Sequence, residues 1–332
     1  MSEQPKKVIE RPDEILKNIL YMAPMQGVTN CTYRAAYFHH FKGYDVVVSP
    51  LIAASNVTDL NSKAFKDLKP EFNRADVELI PQILGNEASD FIQMSKLLFQ
   101  MGHKKVNWNL GCPFPMVRNK KRGSGLLPYP ELIVKFLEEV IPAIPNKVSL
   151  KVRLGVKDNH ELYKLLPLLD GFDLENIIIH PRTAEQLYEG HVDLDGFEAA
   201  LKLTKHEVVY NGDIYTLKDF QDLAARFPKI KKWMLGRGGV ADPFLAERIK
   251  NIDIGTKGEQ KERFKAFHAE VFDGYRHKLC GGAHLLHKMK ELWTYWAMSF
   301  EDSHDVSKKI LKVKSVPAYQ DTVKKLFEQD LR

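Results

Sequence analysis

Short apolar runs punctuate the first 240 residues or so, each closing on a polar or glycine-containing turn and each followed by a stretch long enough for an amphipathic helix. Eight such runs stand in the chain: ILYMAPM (19–25), DVVVSPL (45–51), LIPQILG (79–85), KVNWNLG (105–111), VSLKVRLG (148–155), NIIIHPRT (176–183), EVVYNGDI (207–214) and KWMLGRGG (232–239). Runs that are apolar at nearly every position are strands buried on both faces, and helix-length connections make neighbouring strands parallel. Eight strand–helix units at this length predict an α/β fold of the (β/α)8 TIM-barrel type. Helix starts agree with the count: Thr216 with Asp219 three residues on, and Asp242 followed by Pro243, both read as N-terminal caps.

The last 75 or so residues lack β-branched runs and space their apolar positions helically, as in Leu285, Met289, Leu292 and Trp296. This predicts an all-helical C-terminal domain. The polar, glycine-containing segment NIDIGTKGEQKE marks the boundary, giving a barrel over residues 1–250 and a helical domain over 251–332.

Composition narrows the class. Hydrophobic residues make up 44% and charged residues 28% of the 332, which excludes a wholly disordered chain. No apolar run approaches a membrane span, and the N-terminal MSEQPKKVIERPDEI is charged with no apolar signal core, so a cytoplasmic protein without a membrane partner is expected. Three cysteines, Cys31, Cys112 and Cys280, form no framework and no C-x-x-C pair. The net charge is +6, half of it in the last 82 residues. From Arg276 to Lys290 the chain carries four Lys or Arg, Lys288 and Lys290 among them, and no acidic residue. Such a run suits either a nucleic-acid backbone or an ordinary solvated helix face.

In a barrel of this kind chemistry sits at the C-terminal ends of the strands. The first strand ends in Pro24, Met25 and Gln26; Gln82 lies in the third, Asn109 and Cys112 at the fourth, Lys151 and Arg153 in the fifth. His180 and Arg182 end the sixth, then Asn211, Gly212 and Asp213 the seventh, and Gly236 and Arg237 the eighth. Amide, lysine, imidazole and two glycine turns converging on one mouth suit a cofactor with a polar ring and a phosphate. Cys112 sits in NLGCPFP, where Pro113 and Pro115 stiffen the backbone, and its thiol could act as a general acid or as a nucleophile. Lys151 has apolar neighbours and could stabilise an anionic ring or form a Schiff base. No set of metal ligands accompanies His180, so no metal is expected.

The ordered set APMQGVTN, the Gln82 strand, NLGCPFP with KKRGSGLL, LKVRLG, HPRTAEQ, NGDI and GRGG resembles the tRNA-dihydrouridine synthases, from about Met22 to Arg248. The resemblance implies an FMN-binding barrel followed by a helical tRNA-binding domain, with NADPH or NADH as reductant and reduction of a D-loop uridine at its C5=C6 bond. By motif, Cys112 would be the catalytic proton donor. Pro24, Met25, Gln26, Gln82, Lys151 and His180 would contact the flavin, and Asn211, Gly212, Asp213, Gly236 and Arg237 its phosphate end. Asn109 and Tyr188 resemble positions near the substrate uracil, while Lys288 and Lys290, and the flank Arg118, Lys120, Lys121 and Arg122, would meet the tRNA. Departures are Gln26 and Asn30 within APMQGVTN, and Pro181 where the family usually has a small residue. The helical tail is most similar to the C-type bacterial branch, which implies position 16, and a monomer is expected. Three rival readings are an FMN-dependent small-molecule reductase of the dihydroorotate dehydrogenase type, a Schiff-base lyase at Lys151, and a non-catalytic tRNA-binding or chaperone-like protein that uses only the helical tail.

Overall fold

The computed structural model describes residues 18–55, 59–69 and 72–332; the charged N-terminal segment lies outside them. All eight apolar runs are strands, and every pairing between them is parallel. In chain order they are β1 (Ile19–Met22), β2 (Val46–Val48 and Ile52–Ala53), β3 (Glu78–Ile80 and Gln82–Leu84), β4 (Lys105–Leu110), β5 (Lys147–Gly155), β6 (Leu174–Thr183), β7 (Val208–Asn211) and β8 (Lys232–Leu235). Pro81 breaks β3 in two because it has no N–H for the ladder. The first half pairs with β2, the second with both β2 and β4, and β1 pairs with β8, so the sheet closes on itself as a (β/α)8 barrel.

Helices between the strands are α1 (Cys31–His40), α2 (Ala88–Gln100), α3 (Pro115–Arg118), α4 (Pro130–Val140), α5 (His160–Leu169), α6 (Leu194–Leu201) and α7 (Leu217–Arg226), and α8 (Arg237–Ala241) and α9 (Leu245–Ile249) follow the last strand. Four more complete the chain: α10 (Lys257–Lys278), α11 (Gly282–Trp296), α12 (Ser303–Lys312) and α13 (Val316–Leu326). The capping box of Thr216 and Asp219 starts α7 as expected. The cap expected at Asp242 is displaced: its carboxylate accepts from Phe244 N (3.0 Å) and pairs with Arg248, and α9 begins only at Leu245.

Alternation along each strand decides what faces the barrel axis. Ile177, Ile179, Leu150 and Val152 point outward into the layer under the helices, whereas Tyr21, Val46, Val48, Ile80, Ile178, Val209 and Met234 fill the interior. One step further along the same inward rows come Lys151, Arg153, His180 and Asn211. The parity that buries Ile178 and Val209 therefore aims the polar residues at the open end.

The C-terminal helices continue the outer core. Phe267 of α10 meets Tyr33 of α1 and Phe41 just after it edge-on at centroid distances of 5.5 and 5.2 Å. Leu285, Met289, Leu292 and Trp296 are all buried, as their spacing predicts. His268, buried among aromatic rings, bonds Tyr319 (2.6 Å), and burial holds its pKa down at about 3. Among the bonds that fasten these helices to the segment after β1, Tyr275 Oη donates to Asn30 Oδ1 (3.0 Å), Lys278 Nζ to Thr32 Oγ1 (2.7 Å) and Lys288 Nζ to the Gly27 carbonyl (3.1 Å). Asn30 also caps α1, accepting from Thr32 N and Tyr33 N, so the departure from the family motif has a structural use. None of the helices among the described residues is long and apolar enough to cross a membrane.

Candidate active site

The strand ends open into a cavity of about 620 Å³. All the residues expected to hold a cofactor line it: Pro24, Met25, Gln26, Gln82, Lys151, His180, Asn211, Gly212, Asp213, Gly236 and Arg237. Cys112, Asn109 and Tyr188 line it too. Lys288 and Lys290 do not. Lys288 bonds the Gly27 carbonyl and pairs with Glu291, and Lys290 donates to Leu311 O (2.9 Å) and Val313 O (2.6 Å), capping the end of α12. Sequence reading missed Glu291 and Tyr295, which α11 brings to the mouth; only the tertiary packing of α11 reveals them.

Cys112 is held from both sides. Asn109 Oδ1 accepts from Gly111 N (3.1 Å) and Cys112 N (2.9 Å), while Ser124 Oγ donates to the Cys112 carbonyl (2.8 Å). Asn109 is itself fixed by a buried chain of amides: its Nδ2 donates to Gln82 Oε1 (2.7 Å), Gln82 Nε2 to Asn107 Oδ1 (2.8 Å) and Asn107 Nδ2 to Ser149 Oγ (2.8 Å). The KRGSG segment folds over the loop because Gly123 has φ +56° and its missing Cβ would stand 2.9 Å from that of Cys112. Burial pushes the Cys112 thiol up, against a smaller opposing pull from the Phe114 backbone and Arg153, so it keeps its proton at neutral pH.

The floor is cationic. Lys151 finds no acceptor or carboxylate among the described residues, and burial beside Arg153 lowers its pKa from the ordinary 10.5 to about 7. Arg153, itself 1% exposed, spends its donors on backbone: Gly111 O (3.1 Å), Thr183 O and Leu187 O (both 2.7 Å). It thereby ties the cysteine loop to the end of β6. Burial, then Arg153, Lys151, Arg182 and Arg237, hold His180 well below the ordinary imidazole range. Arg182 Nη1 lies 3.3 Å from His180 Nε2, and a guanidinium can only donate, so Nε2 carries the lone pair and Nδ1 the hydrogen. Asp213, at φ +43°, accepts a two-pronged pair from Arg182 (2.9 and 2.6 Å) and a further bond from Arg237 (2.9 Å). Tyr188 lies under two guanidiniums, those of Arg153 and Arg237, at 5.2 and 4.9 Å.

Of the two carboxylates lining the cavity, Asp213 is taken up by Arg182 and Arg237 and Glu291 pairs with Lys288, so Lys151 and Arg153 are left to attract an anion. Gly236 leaves room for it, since a Cβ there would have only Ala23 Cβ at 3.6 Å and Met25 Sδ at 4.0 Å as neighbours. Ala23, Leu51 and Met234 supply an apolar wall beside the Gln82 amide. Unpaired ammonium, free imidazole N–H, spare amide hydrogens and a glycine-cleared end together fit a planar, polar-edged ring that carries a phosphate. Outside the cavity, a grouping of possible metal ligands among the described residues is His39, His40 and Glu270, where both rings bond one carboxylate oxygen (2.7 and 2.9 Å).

Comparison with known proteins agrees with this arrangement. Residues 21–325 match the family described as dihydrouridine synthase (Dus). Similar curated proteins are tRNA-dihydrouridine synthase B of Pasteurella multocida (strain Pm70), 26% identical and covering 71% of this chain and 70% of that one. tRNA-dihydrouridine(16) synthase of Cupriavidus necator is also 26% identical, with 73% and 76% covered. Among solved structures, TcOYE with pHBA superimposes with a TM-score of 0.55 at 12% identity, over 80% of this chain and 98% of that one, which shows the shared barrel. The family match decides against the lyase and the small-molecule reductase. The chain belongs to the dihydrouridine synthase family, flavin-dependent oxidoreductases that form dihydrouridine in tRNA.

Proposed function

We propose that this protein uses FMN and NADPH to reduce uridine 16 in the tRNA D-loop, with Cys112 as proton donor. The observation that carries the reading is a protonated, stiffly held thiol lining the same cavity as a lysine that has no carboxylate partner among the described residues. FMN bound in the cavity would supply a hydride to C6 of the uracil. The chain's own residues do the rest. Lys151, the His180 Nδ1–H and the Gln82 amide hold the polar edge of the ring, and Gly212, Gly236 and Arg237 the phosphate, with Asn211 and Asp213 fixing the turn between them. Asn211 Nδ2 donates to Met234 O (2.9 Å), and Asp213 is taken up by its two arginines. Asn109 acts on the substrate side by positioning Cys112, and Tyr188 offers its half-exposed ring to the base. Cys112 gives its proton to C5 and recovers one from water.

Residues 251–332 form the tRNA-holding domain in this reading, together with Lys120 and Lys121, which are exposed and have no carboxylate partner among the described residues. Position 16 rests on the likeness of the helical tail to the C-type branch, and the protein works as a cytoplasmic monomer without a metal. The test is to record the visible spectrum of the purified protein, add NADPH and unmodified tRNA, and map dihydrouridine by position-resolved mass analysis. A yellow protein that adds two hydrogens to uridine 16 is expected. A colourless protein that takes up no FMN overturns the proposal, and reduction at another uridine overturns the assignment of position.

A further inference from the structure

Three of the large apolar side chains left exposed meet at one rim, beside Cys112. Phe114 is 51% exposed and Met116 78%, and both line the cavity with Tyr188, itself 48% exposed. Single exposed hydrophobics need no explanation, but several around one opening mark a contact surface. Their mounting is rigid. Val117 N and Arg118 N donate to the Phe114 carbonyl (2.9 and 3.0 Å), Pro113 and Pro115 flank Phe114, and Gly125 presses on α3, where a Cβ would stand 2.4 Å from Arg118 O. Just behind the platform the chain turns through Lys120 and Lys121, Lys121 at φ +49° with its Nζ 4.3 Å from the Tyr129 ring centroid.

We propose that Phe114 and Met116 form a stacking platform for the nucleobase next to the target uridine, covering the face that the uridine exposes when it leaves the stack. This rests on the tRNA-reduction reading. A uracil inside the RNA stack cannot reach Cys112, so it must be extruded, and extrusion bares a neighbouring base to water. An apolar side chain laid on that base restores the lost contact, as wedges do in other nucleic-acid complexes. The neighbouring lysines match the phosphates on either side of such a base, which is why the occupant is RNA rather than an apolar protein segment.

The test uses the full-length holoprotein with Met116→Ser, Phe114→Ser and the double change, all at exposed positions that leave the fold intact. A tRNA transcript carries 2-aminopurine beside the target uridine, and a short unstructured RNA with the same local sequence serves as a substrate whose base is already unstacked. In the wild type, binding the transcript is expected to raise the 2-aminopurine fluorescence. The double variant is expected to lose that change, to fall about tenfold or more in single-turnover reduction of the transcript, and to fall much less on the short RNA. Flavin reduction by NADPH without RNA stays at the wild-type rate. Wild-type turnover by the double variant on the transcript overturns the platform, as does an equal loss on both substrates. A wild-type protein that oxidises NADPH yet reduces no uridine removes the reading beneath the platform instead.

Discussion

Replacing Lys151 by Met tests the claim that the cavity floor is built for an anion. The ammonium has no acceptor among the described residues, and burial beside Arg153 lowers its pKa from 10.5 to about 7. The folded state therefore binds fewer protons than the unfolded state between those values, and stability rises with pH across that window. Below pH 7 the lysine is charged in both states and the cost of burying it is complete. At about 1.4 kcal/mol per tenfold in proton affinity the displacement corresponds to at most about 5 kcal/mol. Water entering the open cavity screens the charge, leaving an expected effect of roughly 2–3 kcal/mol. Lys151→Met, close in length and apolar, removes that cost. Denaturant unfolding of flavin-free protein at pH 6, 7.5 and 9 measures it: the variant should be more stable than the wild type at pH 6, with the gap shrinking steadily by pH 9. Flavin affinity should drop in the same variant, and wild-type flavin binding at pH 8 should take up a proton, seen as a buffer-dependent heat. A variant that is less stable at pH 6, or a gap that does not change with pH, refutes the reasoning.

Gly123→Ala forces a side chain into φ +56° with its Cβ 2.9 Å from that of Cys112. It should cost about 2 kcal/mol in unfolding free energy and slow tRNA reduction more than flavin reduction. His180 is kept neutral by burial and four cations. Because its folded pKa is depressed, its contribution to stability is lost only as pH falls below about 6.5, and flavin binding should show no imidazole inflection between pH 6 and 8. Lys288→Met removes the donor to Gly27 O and the partner of Glu291. About 1 kcal/mol of stability should go with it, and the flavin should dissociate faster, checked by thermal melts and stopped-flow release.

The barrel was legible because parallel strands buried on both faces read as apolar runs, and all eight runs became strands. Proline was the part not read from the pattern: LIPQILG is one run in the sequence, but Pro81 divides it and the two halves pair differently. The candidate cavity was legible through parity, since inward rows that begin with Ile178 or Val209 end in His180 or Asn211. What a polar residue does there was not legible. Asp213 serves two arginines, and Lys290 caps a helix, because each partner lies far away in sequence. Glu291 reaches the cavity only through the docking of α11 on the barrel, which no local pattern encodes.

Cys112→Ala, loaded with flavin and followed through single-turnover reduction of unmodified tRNA, tests the central claim most directly. The variant should bind flavin and accept electrons from NADPH as the wild type does, while tRNA reduction falls by about 100-fold or more. Undiminished reduction of the target uridine would contradict the assignment of the Cys112 thiol as proton donor.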